Sequence, residues 1–177
     1  MHLTRRHLLA TASAGLAALH VPELFADEPR TQSSNADANA SFPAQEPGVV
    51  KEMVGVSHGK IDRVSELLKE RPALAKAAWD WGFGDWETAL GAASHVGNHE
   101  IAALLIKHGA RPDLFTFAML GHLDVVKAYV ASNPGLQRTH GPHGITLLSH
   151  AKAGGEKSKP VVEYLITLGD ADIGQLS

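Results

Sequence analysis

The feature that most limits what this chain can fold into is a recurrence. A glycine, an acid three residues later and then a run of apolar residues return repeatedly after Val49. Gly59 is followed by Asp62 and then Leu67-Leu68; Gly97 by Glu100 and then Ile101-Ala102-Ala103-Leu104-Leu105-Ile106; Gly121 by Asp124 and then Val125-Val126, Tyr129 and Val130. Apolar residues at these offsets follow the 3.6-residue period of a helix with one buried face. The acid falls in its first turn, where the positive end of the helix dipole favours it. A fourth copy is less regular. Val161, Val162, Leu165 and Ile166 repeat the apolar positions, Pro160 replaces the acid, as a first turn tolerates, and Gly154-Gly155-Glu156 reads as a small insertion. The interval is 38 residues from Gly59 to Gly97, 24 from Gly97 to Gly121 and 36 from Gly121 to the equivalent Lys157. The pattern therefore persists while its period does not. A single helix pair cannot bury its own apolar face, so about three or more must stack.

Residues 88–110 (TALGAASHVGNHEIAALLIKHGA) carry a Thr-x-Leu opening, paired alanines, a turn glycine, a Leu-Leu pair and a closing Gly-Ala. In these features the stretch resembles an ankyrin repeat. The copy beginning near Leu114 resembles one from Ala118 onward, and those around Gly59 and Val161 are degenerate, as terminal capping repeats are. The likeness extends over roughly residues 50–172 and includes bacterial ankyrin proteins with stretches like Gly84–Leu90 and Gly141–Leu148. It implies an all-α ankyrin-repeat solenoid of about four helix-turn-helix repeats with degenerate end caps, occupying residues 49–177. The first helix of each pair would be short and rich in small residues (Ala92, Ala93, Ala118), allowing close approach of neighbours.

Ahead of this domain, Arg5-Arg6 precedes a mildly apolar run, His7 to Val21, which is too short and too rich in Ala, Ser and Thr to span a bilayer. With Leu24-Phe25-Ala26 as a cleavage site, residues 1–26 have the layout of an export signal. Thr4 to Leu9 resembles the twin-arginine motif, which implies a protein exported in the folded state and residing in the periplasm, with no membrane segment in its mature form. Residues 27–48 have few large apolar groups and read as a disordered linker.

Composition narrows the function. The net charge is −3 and no Lys/Arg-rich run exists to track a phosphate backbone, so nucleic acid is not an expected partner. The chain has no cysteine, which excludes disulfides and thiolate-bound zinc. Neither a Gly-x-Ser-x-Gly elbow nor a His-Glu-x-x-His pair occurs, and no catalytic residue or cofactor is expected.

Binding is the expectation instead. In ankyrin stacks the loops between repeats project as fingers, and these loops are unequal. The first, Ala75 to Glu87, holds Trp79, Asp80, Trp81, Phe83, Asp85 and Trp86, including every tryptophan of the chain. Tryptophan supplies large contact area and an N–H donor. The second is only Arg111-Pro112-Asp113, and the third, Ser132 to Gly144, carries His140 and His143. At ordinary helix spacing the two long fingers would stand about 20 Å apart across a notch. These eight residues are the expected partner-binding set, the partner being a protein or peptide. A small-ligand or metal pocket in the notch, with His95, His140, His143 and His150 around it, is the alternative. No metal is expected from His140 and His143 alone, because two ligands make a weak site. Asp80, Asp85 and Glu87 read as solvated loop acids, and His58 and His122 as partners for backbone groups beside turn glycines.

Overall fold

The structure is a computed structural model that describes residues 44–169. The expected export signal at 1–26, the expected linker up to residue 43 and residues 170–177 lie outside the described residues.

Eight α-helices occur among the described residues, and they come in pairs. The first pair is α1 (Pro47–Val56) and α2 (Ile61–Glu70), the second α3 (Ala89–His95) and α4 (His99–Lys107). The third is α5 (Leu114–Leu120) and α6 (Leu123–Ser132), and the fourth α7 (Leu147–Ala153) and α8 (Lys159–Thr167). Helix α1 begins at Pro47, two residues before the domain boundary expected from the sequence. None of these helices is long and apolar enough to cross a membrane.

Local chemistry explains where the inner helices start. Thr88 caps α3 by accepting from the Gly91 N–H, Asp113 caps α5 through Thr116 and Thr146 caps α7 through Ser149. Asn98 does the same for α4. Each cap satisfies one of the otherwise orphaned N–H groups of a first helical turn. The acids Asp62, Glu100 and Asp124 do lie in the first turns of α2, α4 and α6.

Packing follows the sequence pattern. The second helices bury Val64, Leu67 and Leu68, then Ile101, Ala102 and Leu105, then Val126 and Val130, then Val161 and Leu165. The inner helices bury small residues, Ala89, Ala92 and Ala93 on α3 and Ala118 on α5. These residues form two apolar clusters, one spanning the first two pairs with Met119 and one spanning the last two. A buried polar tie, Ser94 Oγ donating to Thr116 Oγ1 at 3.0 Å, joins α3 to α5.

Two features depart from a regular all-α stack. The first finger is a β-ribbon, in which β1 (Ala78–Asp80) pairs antiparallel with β2 (Trp86–Thr88) in the register Ala78↔Thr88, Trp79↔Glu87, Asp80↔Trp86. In addition, α3 touches α7 as well as its neighbour α5. In a linear repeat array each unit meets only the next. Here the connection between α4 and α5, residues 108–113, is much shorter than those at 71–88 and 133–146. A Cβ at Gly97 would sit 2.0 Å from the Ala153 carbonyl oxygen, and one at Gly121 2.1 Å from that of Lys157. Both glycines adopt positive φ, 72° and 82°, so the turn requires glycine twice over.

Candidate functional site: a buried glutamate among histidines

The inward curl brings together residues from four places. On the ribbon, side chains alternate between faces, so Glu87 and its cross-strand partner Trp79 share the inner face while Trp86 looks out. Glu87 is 0 % exposed, whereas Trp86 is 62 % exposed. The expectation of a solvated loop acid is therefore overturned at Glu87. Its loop is a short strand, and alternation turns the carboxylate into the fold.

One oxygen of that carboxylate is satisfied. The Trp81 indole Nε1 donates to Glu87 Oε2 at 2.8 Å. The other, Oε1, is faced by three imidazoles: His95 Nδ1 at 3.1 Å, His143 Nε2 at 3.4 Å and His58 Nε2 at 3.6 Å. The His95 contact is close but misaligned for a hydrogen bond, and both Glu87 Oε1 and His95 Nδ1 remain buried without one. An unpaired buried polar atom is costly in a native fold, which marks this oxygen for explanation. Burial raises the pKa of the Glu87 carboxyl, but contact with His95, the Trp81 hydrogen bond and the charges of His58 and His95 outweigh it and bring the net below the usual value.

The ring orientations are set from behind. His58 Nδ1 lies 3.0 Å from the Gly55 carbonyl oxygen at the end of α1, so the residue does serve a backbone group, as its place beside Gly59 suggested, while Nε2 points at Glu87. His143 is held by Asp85, whose Oδ1 accepts from the His143 backbone N–H at 2.9 Å and whose Oδ2 lies 2.7 Å from Nδ1. The backbone N–H of His143 is the main reason that the Asp85 carboxyl lies below the usual range. His143 itself has φ 59°, a left-handed conformation that aims its ring across the gap. His95 projects from the last turn of α3 and lies 4.8 Å from the His58 ring and 5.7 Å from the His143 ring between centroids.

The two long fingers are thus joined through Asp85 and His143. Part of the notch remains as a pocket of about 350 Å³ lined by Asp85, Trp86, Phe115, His140 and Pro142 among others. His140 faces this pocket and stays out of the glutamate cluster. His150 is buried beside Phe115 and 6.3 Å from the His95 ring, and desolvation depresses its pKa. Of the four histidines expected around the notch, His95, His143 and His150 gather around the Glu87 cluster, and His58 joins from the first pair.

The aromatic residues of the first finger divide by role. Trp79 packs against the apolar core and Lys51 lies over its ring. Trp81 is 39 % exposed and tied to Glu87. Phe83, with φ 56°, stands fully in solvent at the tip beside Trp86. The side chain of Asp80 accepts from the Gly82 N–H and shapes the turn.

Glu87 and His58 are the functional candidates that the sequence reading passed over. The available signal was the alternation of Trp79-Asp80-Trp81 and Trp86-Glu87-Thr88, which puts Trp79 and Glu87 on one face once a ribbon is recognised.

No curated protein matches the chain by sequence. Residues 85–117, running from the finger tip through α3 and α4 into α5, match the family model of the ankyrin repeat.

Proposed function

We propose that the chain is a non-catalytic protein-interaction module, an ankyrin solenoid of about four repeats that binds a protein or peptide through its inner-helix face and the finger at 78–88. Ankyrin repeats generally mediate protein–protein contact, and the match at 85–117 supports this reading. The observation that carries the reading is the finger tip. Phe83 and Trp86 are large, exposed aromatic residues on a ribbon fixed from below by Trp81–Glu87 and from the side by Asp85–His143. Aromatic anchors presented on a rigid element bind with little ordering cost. The tip and the pocket beside it, with Trp86, Phe115, His140 and Pro142, make one continuous surface for a partner.

The paired arginines and apolar run at the start support an exported, periplasmic protein. Fusing residues 1–48 to a reporter that works only after folded export tests this, with Arg5→Lys/Arg6→Lys as the control. Export that is unaffected by the double substitution rejects the twin-arginine route.

For the binding surface, the chain from Ala44 to Ser177 serves as bait in periplasmic extract beside a Phe83→Ala/Trp86→Ala variant. A protein retained by the first and lost from the folded second supports the finger as the contact. Equal retention by both moves the contact elsewhere.

A second reading, a small-molecule site, is favoured by the pocket, whose volume lies in the range of ligand clefts. Protection of Trp86 fluorescence by a small-molecule fraction of the same extract would support it.

A further inference from the structure

The Glu87 cluster leaves one carboxylate oxygen, Oε1, buried without a hydrogen bond. A carbonyl oxygen only accepts, so His58 Nδ1, at 3.0 Å from the Gly55 oxygen, carries a proton. His143 Nδ1, at 2.7 Å from Asp85, does the same. With Nδ1 engaged in this way, each ring turns Nε2 toward Glu87 Oε1, a buried oxygen with no hydrogen bond. Three ligand atoms thus converge, and a cation at their centre supplies the partner that Oε1 lacks.

We propose that His58 Nε2, Glu87 Oε1 and His143 Nε2 form a binding site for one divalent transition metal of the zinc class. The three ligand atoms lie within 4.8 Å of one another. Ligands at zinc distances of about 2.0–2.1 Å in tetrahedral array are about 3.3 Å apart. The separations of 3.4 and 3.6 Å from Oε1 approach that value. Two imidazoles and one carboxylate suit zinc, nickel or copper, whereas calcium and magnesium prefer all-oxygen shells.

The surroundings have the form of a ligand shell. Asp85 behind His143 and the Gly55 carbonyl behind His58 fix the tautomer that leaves Nε2 free, as carboxylates and carbonyls do behind metal-binding imidazoles. Trp81 holds the second carboxylate oxygen, so Oε1 is the one presented. About a third of each of the His58 and His143 side chains is exposed, while Glu87 is fully buried. The fourth position therefore opens toward solvent on the imidazole side, where water completes the shell. The ligands come from the turn after α1, from β2 and from the third connection, so the ion would pin three segments that are far apart in sequence. This site is separate from the finger tip, and its test does not depend on any partner.

The alternative source of positive charge is protonation of the imidazoles. Titrating the chelator-stripped full chain with zinc alone, at a mildly alkaline pH where histidine is neutral, separates the two. The expected result is one zinc per chain, a raised thermal midpoint and, with cobalt in its place, visible absorption bands of low-coordinate nitrogen–oxygen ligation. His58→Ala and His143→Ala should each weaken binding at least tenfold. Asp85→Asn, which leaves all three ligands in place, should weaken it by about 10–100-fold. Circular dichroism verifies that each variant is folded, and the partly exposed His58 provides a variant that spares the buried carboxylate. A folded wild-type chain that binds no zinc overturns the proposal. So does zinc binding that survives in a folded His58→Ala/His143→Ala double variant, since the remaining histidines would then be the ligands.

Discussion

At the scale of single residues, the three tryptophans of one loop have three different environments, and substitution should separate them. Trp86 touches little, so Trp86→Ala is expected to change stability by less than about 0.5 kcal/mol. Trp81→Phe keeps the ring but removes the donor to Glu87 Oε2, leaving a second buried oxygen unpaired at a cost of about 1–3 kcal/mol. Chemical denaturation of both variants checks the contrast, and equal effects would mean that Trp81 does not hold the carboxylate.

His150 gives a pH dependence whose sign can be worked out. Its folded pKa is depressed, first by burial and further by His95, against the raising effects of Thr146, Asp113 and Glu87. The unfolded chain therefore takes up a proton at higher pH than the folded chain. Stability is unaffected above the ordinary histidine range and falls as pH drops through it toward the depressed value. Denaturation midpoints measured across mildly acidic pH should decline for the wild type and flatten for His150→Gln. A decline of the same slope in the variant would assign it to other groups.

At the scale of elements, the turn glycines look equivalent in sequence and are not equivalent in space. Gly97 has positive φ and no room for a Cβ beside Ala153, so Gly97→Ala should cost at least about 1–3 kcal/mol. Gly59 occupies the same place in the pattern with open space around it and no positive φ. Gly59→Ala is expected to be neutral or stabilising by about 0.4–1 kcal/mol. Thermal unfolding of the pair decides the matter. The difference arises because the turn after α3 is wedged against the end of α7, whereas the turn after α1 lies at the open end of the stack. The Asp85–His143 link between fingers is partly exposed, so its contribution to global stability is small. Its work is local, holding the ribbon tip against the third connection.

At the scale of the whole molecule, the parts that were legible in the sequence are those fixed by local rules. The helix pairs follow from the apolar offsets after Gly59, Gly97 and Gly121. The ribbon was not legible because three-residue strands such as Ala78–Asp80 are too short for alternation to stand out from a loop. The closure of α3 on α7 was not legible either, since it joins helices far apart in sequence. The burial of Glu87 follows from both, and so does the meeting of His58 with His143 across 85 positions of sequence. His95 and His143 could be expected near one another from the finger arrangement; their common partner could not.

The central claim is that Glu87 gathers the turn at His58, the ribbon and the third connection into one unit. Hydrogen exchange of the wild type beside Glu87→Gln, which keeps the side chain's shape and removes its charge, tests it most directly. Backbone protection is expected to fall together around residues 58–60, 78–88 and 140–146, while α6 and α8 keep theirs. Loss of protection confined to the ribbon, with the other two segments unchanged, would contradict it.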